Sequence, residues 1–154
     1  MALIMSAACR RVDNTLYAKY ADIPSQGWEP NEPVNFMPWP SDSAFAGHAM
    51  DLMLCVRFRD AEPIGSLPLL ITVEDDEETL LADTIRLVTF SKAGEPLGTK
   101  SHGVVDREDT LLRGFTLRPG LSVSLSSLAP AERSIGLLNI GLKMSSHESV
   151  TPQR

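Results

Sequence analysis

The chain has 154 residues, 43% of them apolar, with 14 basic against 20 acidic side chains and a net charge of −6. That length and apolar share fit one globular domain, able to bury about 68–70% of its unfolded surface, and argue against a disordered chain. The acidic balance argues against a nucleic-acid grip, which needs clustered Lys and Arg, and against a polybasic hold on anionic lipid.

The first feature in chain order is Met1-Ala2-Leu3-Ile4-Met5-Ser6-Ala7-Ala8-Cys9. An apolar run, three small residues and a cysteine is how a bacterial lipoprotein signal ends. The peptidase needs small side chains ahead of the scissile bond, and the cysteine thiol accepts the lipid. Only Ala2 to Met5 precede the small residues, fewer than the about 7–15 apolar residues of a working signal. Residues 1–9 therefore read as the remnant of a longer signal, with Cys9 as lipidation site and membrane anchor. A Cys9–Cys55 bridge is the competing use of Cys9, and lipidation excludes it. No run of about 18 apolar residues occurs, so no membrane-spanning helix is predicted.

The rest reads as strands and turns. Eleven prolines and ten glycines punctuate the chain too often for long helices. Thr15 to Asp22 alternates as a strand, Ile23 to Gly27 turns, and Trp28 leads into a second polar turn. Val34 to Met37 is a short strand closed by Pro38-Trp39-Pro40, and Ser41 to Gly47 reads as a loop. Asp51 to Phe58 alternates most clearly. Leu67 to Glu74 is apolar at nearly every position and is predicted to be central. The acidic run Glu74 to Glu78 turns the chain into Leu80 to Phe90, a hairpin. Lys92 to Gly103 reads as irregular. Thr110 to Leu117, Leu121 to Leu128 and Ile135 to Met144 follow, with Pro119-Gly120 a turn between the first two. About eight short strands without interleaved helices predict an all-β fold, a single antiparallel β-sandwich, Ig-like or jelly-roll-like. The expected domain covers residues 10–144, followed by a flexible tail over 145–154.

Catalytic constellations are sparse. The acidic run lacks the alternate spacing and the glycine of a calcium loop, and it reads as a solvated hairpin tip that discourages edge pairing. His48, His102 and His147 have no metal spacing, so neither metal nor cofactor is expected. His102 and Asp106 can meet across a loop, but one such pair is not an active site. Cys55 sits mid-strand, where a buried inert thiol is the ordinary state, and Ser122, Ser124 and Ser126 alternate as on an outward sheet face. The glycines fit no phosphate-binding spacing. The chain is therefore expected to be non-catalytic.

Six of the nine aromatics fall between residues 17 and 45: Tyr17, Tyr20, Trp28, Phe36, Trp39 and Phe45. Aromatic planes on a sandwich either stack on sugars, anchor a protein partner, or plug one end of the core. Tyr17, Tyr20, Trp28 and Trp39 are the candidate partner or glycan contacts.

The segment Leu16-Tyr17-Ala18-Lys19-Tyr20-Ala21-Asp22-Ile23-Pro24-Ser25-Gln26-Gly27-Trp28 resembles the opening of the gliding-motility-associated lipoprotein family of Bacteroidetes, the GldH type. In that family a lipidated cysteine stands shortly before a tyrosine-rich strand, a D-I-P turn and a tryptophan. Phe36, Leu52 to Arg57, Asp83-Thr84, Gly94 with Leu97-Gly98, Phe115 with Pro119-Gly120, and Gly136 to Leu142 follow in the family's order. The likeness runs from about Cys9 to Met144. Met50 and Ala129-Pro130 depart from the family pattern. The resemblance implies a cell-envelope lipoprotein of a Bacteroidetes bacterium, periplasm-facing, structural or adaptor-like in a motility or secretion complex. Its implied partners are the membrane, through the lipid, and other envelope proteins. It supplies no catalytic residues. Arg10-Arg11 after Cys9, in place of an acidic stretch, favours the periplasmic face. The alternative reading is a carbohydrate-binding sandwich built on exposed aromatics.

Overall fold

The computed structural model describes residues 14–39 and 43–148. Nine strands follow in order: β1 (Thr15–Asp22), β2 (Val34–Phe36), β3 (Ala49–Arg59), β4 (Leu67–Glu74), β5 (Thr79–Leu87), β6 (Thr99–Ser101), β7 (Val104–Thr116), β8 (Ser122–Ser127) and β9 (Leu137–Ser146). One sheet has the order β1-β9-β3-β7-β6 and the other β2-β8-β4-β5, all antiparallel. Setting aside the three-residue β6, the order is first-eighth-third-sixth facing second-seventh-fourth-fifth. That is a jelly roll, one of the two sandwich types expected from the sequence.

The core is the alternate-residue face of each sheet. Met50, Leu52, Leu54, Val56 and Phe58 of β3 and Ile140, Leu142 and Met144 of β9 meet Leu67, Leu69, Ile71 and Val73 of β4 and Val123 and Leu125 of β8. β4 is central, as its nearly continuous apolar run predicts, lying between β8 and β5.

The two ends of the sandwich differ. The lower end gathers the start of β1 and β3 and the finish of β7 and β9: Thr15 and Asp51 both pair with Ser145, and Ala49 pairs with Thr116. β8 also opens there, and β2 closes there with Phe36 opposite Val123. The hairpin tip after Glu74 completes this end, with Asp76 N–H donating to the Pro119 carbonyl at 3.2 Å. Asp75 folds the tip by accepting from the Glu77 and Glu78 N–H groups at 2.8 and 2.9 Å. Those two bonds hold its carboxyl below the usual aspartate range. Arg118 reaches Glu78 at 2.8 Å and Glu77 at 3.4 Å, so the tip is latched as well as solvated.

At the upper end Trp28 plugs the core, only 2% exposed. Its indole N–H donates to the Glu32 carbonyl at 2.8 Å, and its backbone N–H donates to Ser134 Oγ at 2.7 Å. The buried Ser134 hydroxyl donates in turn to the Ala131 carbonyl at 2.9 Å. This bolts the β1–β2 connection to the β8–β9 connection. Gly27 is required beside it: with φ at +103°, a Cβ would lie 1.8 Å from the Ala131 oxygen.

A two-sheet sandwich leaves open edges, and β1, β5 and the part of β7 beyond the short β6 each carry a charge on the inward face. Lys19 of β1 pairs with buried Leu142, Asp83 of β5 with buried Ile71, and Arg107 and Asp109 of β7 with buried Val56 and Leu54. A strand added at such an edge would bury the charge. The fourth edge, β2, is three residues long and flanked by Pro33 and Pro38.

Several boundaries differ from expectation. β5 stops at Leu87 because the chain leaves the sheet: Thr89 donates to the Ile64 carbonyl at 3.1 Å, and Phe90 packs edge-on to Phe58 at 5.6 Å. β7 begins six residues before Thr110, where Asp106 to Asp109 put charge on both faces and mask the alternation. β6 and the His102–Gly103 turn lie in the stretch read as irregular. His102 takes φ 51°, the left-handed turn conformation that hairpins of two residues need. β9 runs to Ser146, two residues into the predicted tail. His147 N–H donates to the Ala49 carbonyl at 3.0 Å, and Asn14 Nδ2 donates to Glu148. Residues 145–148 of that tail are therefore paired structure, and residues 149–154 lie outside the described residues.

Ser134→Ala removes the acceptor for a buried N–H, and a loss of about 1–3 kcal/mol in unfolding free energy is expected. Trp28→Ala, which also empties a cavity, is expected to lose about 3–5 kcal/mol. Urea denaturation of the two variants checks both values and their order.

Candidate functional site

The outer face of the five-stranded sheet carries an ordered polar array. Cross-strand pairing sets it in rows: Tyr20, Gly141, Cys55 and Glu108 in one, and Asp22, Asn139, Arg57 and Asp106 in the next. Gly141 is what allows the first row to close. A Cβ there would lie 2.6 Å from the Tyr20 ring and 2.7 Å from the Lys19 carbonyl, so only glycine lets the ring lie across β9. The tyrosine replaces the missing side chain of its glycine neighbour. Its hydroxyl faces Cys55, and the Arg57 guanidinium stacks over the ring at 5.3 Å. Partial burial, then the neighbouring thiol, push the Tyr20 phenol up to about 12. Burial likewise pushes the Cys55 thiol up, with Glu108 adding to it. Cys55 is 3% exposed although it sits on the outward face. The expected burial of the thiol is found, but the cover is a tyrosine and not the core.

Charges around this cap are paired. Arg57 meets Asp106 at 2.8 Å, and Lys143 meets Glu108 at 3.4 Å. Arg107 makes a two-point contact with Asp109, at 3.0 and 3.2 Å, and also donates to the Val88 carbonyl, tying the two sheets together. An open trough of about 540 Å³ runs between Tyr20, the Leu97–Thr99 segment and Asp106 to Asp109. A smaller groove of about 270 Å³ lies at the upper end between Ile23, Arg59, Glu62 and Ile135 to Leu138.

The four aromatic candidates separate. Tyr17 packs half-buried against the core, with Lys19 Nζ 5.7 Å from its ring centre. Tyr20 is 47% exposed, with its ring against Gly141 and the Arg57 guanidinium 5.3 Å from the ring centre. Trp28 is sealed, which removes it from any contact surface; a ring that plugs the core offers no face to a sugar or partner. Trp39 is 37% exposed at the lower end, and Met37 beside it is 71% exposed. Met37 was not among the predicted contacts. The signal for it was an apolar residue just past the last strand position and directly before a proline. Cys9 lies outside the described residues.

The histidines also separate. His48 stacks edge-on to Phe45 at 5.9 Å. His102 forms its hairpin turn, and Asp106 pairs with Arg57 instead of with it. His147 Nδ1 sits 2.8 Å from Asp51 Oδ1, which also accepts the Gly114 N–H at 2.8 Å. Gly114 lies in an irregularity where β7 slips register against β3. The carboxylate therefore satisfies a bulge donor that the sheet ladder leaves over. Sequence gives no sign of this contact, because its partners are far apart in the chain. Among the described residues no group of three or more His, Cys, Asp or Glu is placed to hold a metal ion. No helix of the described residues is long and apolar enough to cross a membrane.

With Cys9 replaced by Ala, Cys55 is the sole thiol. Tyr20→Ala in that background is expected to raise its reaction rate with a disulfide reagent at least about tenfold, because the ring is its cover. A stopped-flow thiol assay on the folded protein reads this directly.

No family model matches the chain, and no curated protein matches it. Among solved structures it is similar to one titled "Structure of Eiger TNF from S. frugiperda", at a TM-score of 0.33 and 10% identity over 91% of this chain and 98% of that one. It is also similar to a "nora virus structure", at a TM-score of 0.34 and 11% identity over 90% of this chain and 59% of that one. At these values neither likeness bears on function, and the jelly roll rests on the strand order itself.

Proposed function

We propose that the protein is a non-catalytic lipoprotein of the cell envelope, tethered through Cys9 and facing the periplasm. Its work in this reading is structural or adaptor-like, in a complex like those served by the gliding-motility-associated lipoproteins it resembles in sequence. Its partners are the membrane, through the lipid, and other envelope proteins.

The observation that carries the reading is the direction of the chain at β1. Cys9 stands six residues before Thr15, where β1 opens at the lower end of the sandwich. A lipid on Cys9 holds that end towards the bilayer and turns the upper end, with its groove along Ile135 to Leu138, towards other proteins. The edge charges support a partner that docks on a loop end or sheet face, since they oppose strand addition.

Metabolic labelling of the full-length protein with a palmitate analogue tests the anchor. Label on the wild type and none on Cys9→Ala is the expected result. Equal label on both removes the reading.

The exposed ring of Trp39 favours a second reading, a carbohydrate-binding sandwich. On that reading a glycan array gives a signal that Trp39→Ala loses; an array blank for the wild type leaves the adaptor reading alone.

A further inference from the structure

We propose that Met37 and Trp39 form an interfacial seat, inserting into the headgroup region of the bilayer that the Cys9 lipid enters. The inference rests on the lipoprotein reading above and extends it from an anchor to an orientation.

Three observations carry it. First, the pair is exposed and apolar, two residues apart on one tight turn. Pro38 between them is buried, and Trp39 N–H donates back to the Met37 carbonyl at 2.8 Å. The bond closes a tight turn that keeps the two residues close together on the surface. Second, the pair is at the correct end. It follows β2 directly, and β2 closes at the lower end where β1 opens. Six residues of chain reach at most about 20 Å, so a lipid on Cys9 keeps the lower end close to the membrane surface. Third, the chemistry suits the interface. Tryptophan combines a large apolar ring with one N–H donor, and it concentrates at the headgroup level for that reason. Methionine adapts its flexible side chain to an irregular surface.

The charge at this end is mixed: the acidic hairpin tip stands there with Arg118 paired to Glu77 and Glu78, and Arg10 and Arg11 follow Cys9 in the chain. Zwitterionic headgroups, which carry no net charge, leave the apolar contact to decide the fit. Two side chains are too few for stable binding alone. They act after the lipid has brought the surface within reach, by the same arithmetic that makes one acyl chain marginal and two signals firm.

The test attaches the lipid chemically, so that it does not depend on what the cell does to Cys9. Cys55 is sealed under Tyr20, which directs a maleimide-lipid to Cys9. The protein is coupled to phosphatidylcholine vesicles containing brominated phosphatidylcholine, and tryptophan emission is compared with that of uncoupled protein. Trp28 is buried and supplies a constant background. The expected result is a blue shift and at least about twofold quenching of the Trp39 share, consistent with a depth of about 5–10 Å. Trp39→Phe is expected to lose the change and keep the Trp28 emission, which also reports that the variant is folded. Emission unchanged by coupling overturns the seat and leaves Met37 and Trp39 to a protein or glycan partner. Failure of palmitate labelling in cells, by contrast, removes the anchor reading without altering the vesicle result.

Discussion

Burial of one face of each sheet against the other is the constraint on which everything else in this molecule depends. Alternate residues of β3 and β9 face alternate residues of β4 and β8, and nearly all of them are fully buried. Side chains in a strand alternate with period two, so a one-residue slip would turn the whole apolar set outward. The long central strands therefore fix register for their neighbours. Two register shifts fall between β3 and β7, and single shifts fall between β1 and β9, β3 and β9, and β4 and β5. Between β3 and β7 the ladder leaves an N–H over, and Asp51 takes it up.

The same alternation gives the outer face its chemistry. Fixing Leu54 and Val56 inward forces Cys55 outward, in a row with Gly141 and Tyr20. A thiol on an outward face would normally be open to reaction. Here a glycine lets the tyrosine ring cross β9 and cover it, and Arg57 covers the ring in turn. The edges obey a related logic. Lys19, Asp83, Arg107 and Asp109 take inward positions at the margins of the sandwich, where Lys19 and Asp83 stay exposed and Arg107 and Asp109 pair with each other. They leave the faces and ends as the surfaces open to partners.

Jelly-roll connectivity gives the ends different characters. The upper end is a built structure, closed by Trp28, Gly27 and Ser134. The lower end combines the entry of the chain, an acidic tip folded by Asp75 and latched by Arg118, and the exposed Met37 and Trp39. The two tryptophans mark the difference, Trp28 as a buried plug and Trp39 as a surface residue.

The sequence by itself determined the all-β class, the two-sheet sandwich and most of the inner face. β1 falls where its alternation predicts, because a half-buried strand writes its period directly into the chain, and β4 falls where its nearly continuous apolar run predicts a central strand. The acidic hairpin tip and the Pro119-Gly120 turn are legible for the same local reason. Only the tertiary structure decided which tryptophan is core and which is surface. Both stand beside proline-rich turns, and the difference is the contact of Trp28 with Ser134, 106 residues away in the chain. It also decided that Cys55 is capped by Tyr20, that Asp51 meets His147, and that β7 starts among charges. Burial at those positions comes from partners distant in sequence, and a local period carries no record of them.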